Sequence, residues 1–313
     1  MNLELTRLED RLTPANSVPA GEFNWLQATP AGGLSELVWV GTTLTYRTRA
    51  GLGWDEEPVV AGSGYASSTY PDRDTVQRAS QAAQLAFTAD GTAHAFLLAP
   101  GFDASLGVGV DGVRHYTRGA GGWALTETIP LGPNPAGPFT PPADNLTAAV
   151  GPGGVFHLLA HRTVQQSTIG SVGQGELLYA TNKSGAWAAG RALLTGDQGQ
   201  DVFSSGDRFA PRFLSIAADS QNFAHITYST GFFSAGSFAA VRSDLGYATN
   251  RTGAWVGETV YGPPDGTGDA ALGASVAVAP GDVPAVASYF VDRAPTGSPA
   301  SSQLLYHVRG AGG

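Results

Sequence analysis

The 313-residue chain contains no cysteine, and its only lysine is Lys183. Without cysteine there is no disulfide and no thiolate metal site. Lysine and arginine together number 17 against 26 acids, a net charge of −9, with no basic run. Nucleic-acid affinity rests on clustered Lys and Arg, so no nucleic-acid partner is expected. Charged residues make up 14% of the chain, below the roughly 25% of ordinary globular domains. The polar surface must therefore come from Ser, Thr, Asn, Gln and Gly. No stretch approaches the roughly 20 apolar residues of a membrane-spanning helix. Residues 1–20 lack the apolar core of a secretory signal peptide. No helical period runs through the body of the chain.

Turn-formers are abundant: 43 Gly and 20 Pro. That suits many short strands joined by tight turns. Apolar residues reach 42%, enough for a sizeable core. One pattern recurs five times. It runs Leu44 to Trp54, Val113 to Trp123, Leu177 to Trp187, Leu245 to Trp255 and Leu304 to Gly313, the last stopping where Trp would come. Its Tyr residues, Tyr46, Tyr116, Tyr179, Tyr247 and Tyr306, are spaced 70, 63, 68 and 59 apart. The Tyr-to-Trp spacing is 8, 7, 8 and 8. Alternating Tyr and Thr before a Gly-containing turn predict a β-hairpin. The sequons at Asn182 and Asn250 fall in these turns and read as turn chemistry.

A second hairpin precedes each of these, clearest at 84–98, 147–159, 214–228 and 275–289, with a weaker copy at 24–39. Small residues dominate its first strand, as suits an innermost strand where blades converge. Four strands per repeat and five repeats predict an all-β, five-bladed β-propeller of four-stranded antiparallel blades, the last blade incomplete. The expected blades are 22–62, 77–132, 144–196, 210–262 and 271–313, with residues 1–21 a separate N-terminal arm. To complete the last blade, Leu3–Leu12 or Phe23–Ala28 is expected to pair with the strand of Tyr306, Trp25 standing in for the missing Trp in the second case.

The repeat resembles sialidase-like and related bacterial propeller repeats, with their inner strand, Gly turn, His-containing strand and Tyr…Gly-x-Trp hairpin. The resemblance runs from about residue 22 to the end. The Asp-box signature, Ser-x-Asp-x-Gly-x-x-Trp, is absent, which separates the chain from true sialidases. Leu8 to Ala15 resembles a short N-terminal motif of planctomycete surface proteins. That implies an extracellular or cell-surface location in a bacterium.

Turns between first and second strands, and between third and fourth, lie on one face and are short. Loops between second and third strands, and between blades, lie on the other and are long. Long loops on a rigid scaffold are where sites sit. The expected ligand-binding residues there are Tyr70, Asp72, Arg73, Asp201, Arg208, Phe232, Phe233, Arg242, Asp292 and Arg293. Aromatic rings stack on sugar faces, and carboxylates and Arg take the hydroxyls. The expected function is non-catalytic binding of a glycan or cell-surface component. The alternative is a glycoside hydrolase on the same face, for which Glu176 borders a long loop and Asp201 is a second candidate. No catalytic residue is assigned by motif. No cofactor is expected; the ion that Asp72, Asp74 and the Gly-Asp pairs would suit is calcium, though none completes a calcium loop. His94, His157 and His225 share one repeat position and are expected to be structural, hydrogen-bonded between blades.

Overall fold

The computed structural model describes residues 24–40, 43–61, 82–99, 101–103, 108–133, 145–165, 174–194, 214–233, 241–263, 268–293 and 299–309. The protein is all-β, a five-bladed β-propeller. It divides into two compact units, Met1–Ser80 and Gln81–Gly313.

The first unit holds blade 1: β1 (Asn24–Ala28), β2 (Leu34–Val40), β3 (Thr43–Ala50) and β4 (Gly53–Val60), paired in that order. The second holds the rest. Blade 2 has β5 (Ala83–Phe87), β6 (Ala93–Leu98), β7 (Gly101–Asp103), β8 (Val108–Gly119) and β9 (Gly122–Pro133). Blade 3 has β10 (Asn145–Gly151), β11 (Val155–Gln165), β12 (Gln174–Thr181) and β13 (Ala188–Leu194). Blade 4 has β14 (Ser215–Ala218), β15 (Ala224–Phe233), β16 (Val241–Thr249) and β17 (Val256–Tyr261). Blade 5 has three strands among the described residues: β18 (Gly268–Ala279), β19 (Val283–Arg293) and β20 (Pro299–Val308). A short parallel pairing, Arg242 with Gly268 and Ser243 with Asp269, joins blades 4 and 5 at their loop ends.

Two expectations meet the structure here. Of Phe23–Ala28, the described residues Asn24 to Ala28 form β1 and pair with β2 across the Thr29–Gly33 turn. A strand next to its own hairpin partner pays little loop entropy to form. Leu3–Leu12 lies outside the described residues. The second, on the loops after the second strands, is corrected: much of them is strand. In blade 3, β11 runs to Gln165 and β12 resumes at Gln174. In blade 1 only residues 41–42 separate β2 from β3.

Alternation along the strands gives the blades of the second unit two apolar faces, and successive blades there stack face to face. Leu159, Leu177 and Tyr179 of blade 3 meet Ile216, Ile226, Tyr228 and Ala248 of blade 4. Leu245 and Tyr247 of blade 4 meet Ala274, Val276, Val286 and Phe290 of blade 5. The Trp after each hairpin packs back on the preceding blade: Trp255 meets Tyr179 edge-on at 5.0 Å, and Trp187 lies 6.5 Å from His115. From blade 5, Arg309 reaches back to blade 4, its guanidinium 5.6 Å above Tyr247.

Gly246 is needed for this stacking. It lies opposite Tyr228 in the register, and a Cβ there would stand 2.5 Å from the tyrosine ring. Gly246→Ala is therefore expected to displace Tyr228 and cost about 1–3 kcal/mol, read as a lower midpoint in urea unfolding. An unchanged midpoint would show that the ring has another place to go.

The short-turn end carries a repeated hydrogen-bond plan. Asn182 Oδ1 accepts from the Phe156 N–H and Asn250 Oδ1 from the Ala224 N–H, both at 2.8 Å. Each asparagine thus ties a hairpin turn to the start of the second strand. Glycines 185 and 253 close these turns at φ +86° and +89°, a conformation glycine adopts without strain. The hydrogen bonds of His94 and His225 stay within their own blades, correcting the expectation of bonds between blades, while His157 also has Asn222 of blade 4 beside its ring. His157 Nδ1 lies 2.6 Å from Tyr179 Oη and His225 Nδ1 2.5 Å from Tyr247 Oη. Each histidine stands opposite a threonine, Thr117, Thr181 or Thr249. In that frame the residue two before Thr117 is His115, so His115 takes the tyrosine's place in blade 2 and Tyr116 points to the other face. His94 Nδ1 accordingly meets His115 Nε2, at 2.9 Å.

Turns of successive blades also touch. Asn222 Nδ2 donates to Pro152 O at 3.1 Å, and Asp282 accepts from the N–H and hydroxyl of Ser220 at 2.9 and 2.8 Å. Lys183 lies 3.7 Å over the Phe223 ring. The short-turn end, expected to be bland, is where blades 3, 4 and 5 are fastened together.

Candidate active site

The loop ends of blades 3 and 4 hold buried charge. Arg162, near the end of β11, stands directly opposite Glu176, near the start of β12. Arg162 Nη2 donates to Glu176 Oε1 in an ion pair whose side chains are 4% and 5% exposed. Such charges are removed from water only with a partner in place. Alternation puts both on the face of blade 3 that also carries Phe156 and Leu158. That face turns to blade 2, where Phe156 packs on Phe96 and His94.

The equivalent position in blade 4 is also acidic. Glu176 precedes Tyr179 by three residues, and Asp244 precedes Tyr247 by three. Asp244 stands opposite Thr230 and is 7% exposed. It lies on the face of β16 that carries Gly246 and Ala248, the face turned to blade 3. The surface of blade 3 that faces it ends in Asn145 and His161, paired in the register and both buried. Blade 3 therefore carries buried polar groups at its loop end on both sides: Arg162 with Glu176 toward blade 2, and Asn145 with His161 toward Asp244. The two carboxyl groups thus lie at successive blade interfaces, Glu176 with a guanidinium and Asp244 facing a surface that ends in an imidazole and an amide, side chains of the kind that serve acid–base chemistry.

Of the residues expected to bind ligand, Tyr70, Asp72, Arg73, Asp201 and Arg208 lie outside the described residues. The backbone places the other five on two neighbouring blades. Phe232 and Phe233 end β15, with Phe232 opposite Arg242 near the start of β16. Asp292 and Arg293 end β19. The pairing of β16 with β18, and of β18 with β19, links these positions through one continuous sheet. Glu176 was legible as a carboxylate bordering a loop. Asp244 was missed, although its place three residues before the repeat tyrosine marks it as the blade 4 counterpart of Glu176. Among the described residues no group of three or more His, Asp or Glu is placed to hold a metal ion. No described helix is long and apolar enough to cross a membrane.

No family model and no curated protein matches the chain. Among solved structures it is similar to the α-L-arabinofuranosidase of Fusarium graminearum, at 13% identity and a TM-score of 0.49, over 93% of this chain and 82% of that one. It is similar to the α-L-arabinanase of Penicillium chrysogenum at 12% identity and a TM-score of 0.49, over 89% and 79% of the two chains. It is also similar to a polysaccharide lyase, at 11% identity and a TM-score of 0.44, over 93% and 70%. These comparisons bring a correction. The expectation of a non-catalytic binding propeller is not carried further: the structures named here are an arabinofuranosidase, an arabinanase and a polysaccharide lyase.

Proposed function

We propose that this protein is a glycoside hydrolase working at the loop ends of blades 2 to 4. The observation that carries the reading is the pair Glu176 and Asp244, acidic residues at one repeat position of adjacent blades, both withdrawn from solvent. The common mechanism of glycoside hydrolysis uses two carboxyl groups, one giving a proton to the leaving oxygen and one acting as base or nucleophile. The ion pair with Arg162 suits Glu176 to the carboxylate's role, base or nucleophile. Asp244 takes the acid's role, with His161 and Asn145 across the blade interface to orient it. Tyr70, Asp72, Arg73, Asp201, Arg208, Phe232, Phe233, Arg242, Asp292 and Arg293 supply sugar contacts along the loops around these carboxyl groups. In this reading residues 22–313 act as one catalytic domain, and residues 1–21 direct the protein to the bacterial surface or beyond. Its blades keep the sialidase-like hairpin without sialidase chemistry, and the reaction needs no cofactor; calcium, if bound, serves the loops.

The test is turnover of a panel of aryl glycosides and polysaccharides, including pentosides, hexosides and sialosides. Wild type should release sugar from one class, and Glu176→Gln or Asp244→Asn should lower kcat at least 100-fold on that class. Variants as active as wild type would end the assignment.

A further inference from the structure

The short-turn end of blade 2 contains a hydrogen-bond chain with one proton too few. It starts at Glu127 Oε1, 3.0 Å from His115 Nδ1. It continues from His115 Nε2 to His94 Nδ1 at 2.9 Å, and from His94 Nε2 to Thr88 Oγ1 at 3.4 Å. It finishes with the Thr88 hydroxyl donating to Asp90 Oδ1 at 2.6 Å. Both ends are carboxylates, which only accept. Four links need four protons. Two neutral imidazoles and one hydroxyl supply three.

With both rings neutral, three links form: His94 Nδ1–H to His115 Nε2, His115 Nδ1–H to Glu127, and Thr88 to Asp90. His94 Nε2 then faces the Thr88 oxygen without a proton between them. Thr117 Oγ1, 3.3 Å from His94 Nδ1, adds nothing at this gap. A proton added to the pair completes the chain. His115 becomes a cation donating from both nitrogens, and His94 turns its remaining proton to Thr88.

The chains in blades 3 and 4 differ. Tyr247 O–H donates to His225 Nδ1, and His225 Nε2–H faces Asp219 Oδ2 at 3.4 Å. Tyr179 O–H donates to His157 Nδ1, and Asn222 lies beside the same ring. The blade 4 chain is complete with a neutral imidazole, whereas His157 Nε2 is buried without a hydrogen-bond partner; in neither does an added proton fill a gap between carboxylates, and it would reverse the bond from tyrosine.

We propose that the His94–His115 pair is a proton-accepting lock, which takes up one proton inside the folded protein and thereby closes the turn Thr88–Thr92 onto the hairpin of β8 and β9. The charges that act on the pair are Asp90 and Glu127, which favour the proton. From blade 3 the groups packed on it are Phe156 and Trp187, which carry no charge. Burial opposes the charge, and each imidazole opposes a second proton on the other. The lock therefore takes one proton and not two.

The experiment is a 15N–1H imidazole titration of the intact protein from pH 8 to 4, with rings assigned by through-bond correlation. On acidification the signals of His94 and His115 should move first, while His157 and His225 still show the neutral pattern. Amide exchange at residues 88–92 should slow over the same range. Glu127→Gln, at a half-exposed site, should lower the pair's midpoint by at least half a pH unit, and Asp90→Asn by less. Titration of His157 or His225 at or above the pair, or a midpoint unmoved in Glu127→Gln, would overturn the lock.

Discussion

Replacing Arg162 with Met is expected to destabilise the protein by about 3–5 kcal/mol, because it leaves Glu176 buried without its counter-ion. The two side chains are 4% and 5% exposed, so water cannot take over the guanidinium's part. The single change should lower the melting temperature by on the order of 5–10 °C. The double variant Arg162→Met, Glu176→Met behaves differently. Removing both charges removes both desolvation costs, and a well-packed apolar pair is often neutral or better. Its melting temperature should return to within a few degrees of wild type, with turnover still lost. Such a stable, inactive protein would show that the pair is kept for chemistry. A double variant as unstable as the single one would show instead that the pair's polar geometry holds blade 3 in place.

Acid should destabilise the protein well before its carboxylates are protonated. Burial pushes His94 and His157 from 6.5 down to about 4, and lowers His115 and His225 as well. A histidine with a depressed folded pKa binds fewer protons folded than unfolded. Its stabilisation is complete above about pH 6.5 and is lost as pH falls toward the folded value. For His157, fully buried, the loss by pH 4 is roughly 3 kcal/mol. Carboxylates with lowered pKa act in another window. Asp90, lowered to about 2 by its hydrogen bonds from Thr88 and Thr92, gives up its share only below its ordinary value of 3.8. Calorimetry between pH 7 and 4.5 therefore isolates the histidines. The melting temperature should fall by on the order of 10 °C over that range, and His157→Gln should flatten the curve. A melting temperature constant down to pH 4.5 would contradict the assignment of these rings as buried and neutral.

The repeat was legible because its parts are local. Tyr, Thr and a Gly turn followed by Trp form one hairpin, and each hairpin states its own geometry. The blade count followed from counting the pattern. The one error in register was also visible: the Tyr116-to-Trp123 spacing is 7 where the others are 8, and counting back 8 from Trp123 gives His115. The roles of the histidines were less legible, since a partner 22 residues away is fixed by pairing register and not by local sequence. The site was least legible of all. Glu176 could be picked out for bordering a loop, but Arg162 became its partner only through the cross-strand register, and strands rather than loops carry both. Asp244 sits in a stretch, Val241 to Thr249, whose reading was dominated by the tyrosine. Only alignment of equivalent positions across blades singles it out.

The account stands on the loop ends of the blades doing the chemistry while the short-turn end fastens the structure. The most direct test compares kcat/KM of Glu176→Gln with that of Tyr247→Phe, on the same substrate and well below either melting temperature. Both changes remove a polar interaction from a buried pair, one at each end. The account predicts a loss of at least 100-fold for Glu176→Gln, and for Tyr247→Phe a lower melting temperature with kcat/KM within about threefold of wild type. Equal losses in the two variants, or full activity in Glu176→Gln, would contradict it.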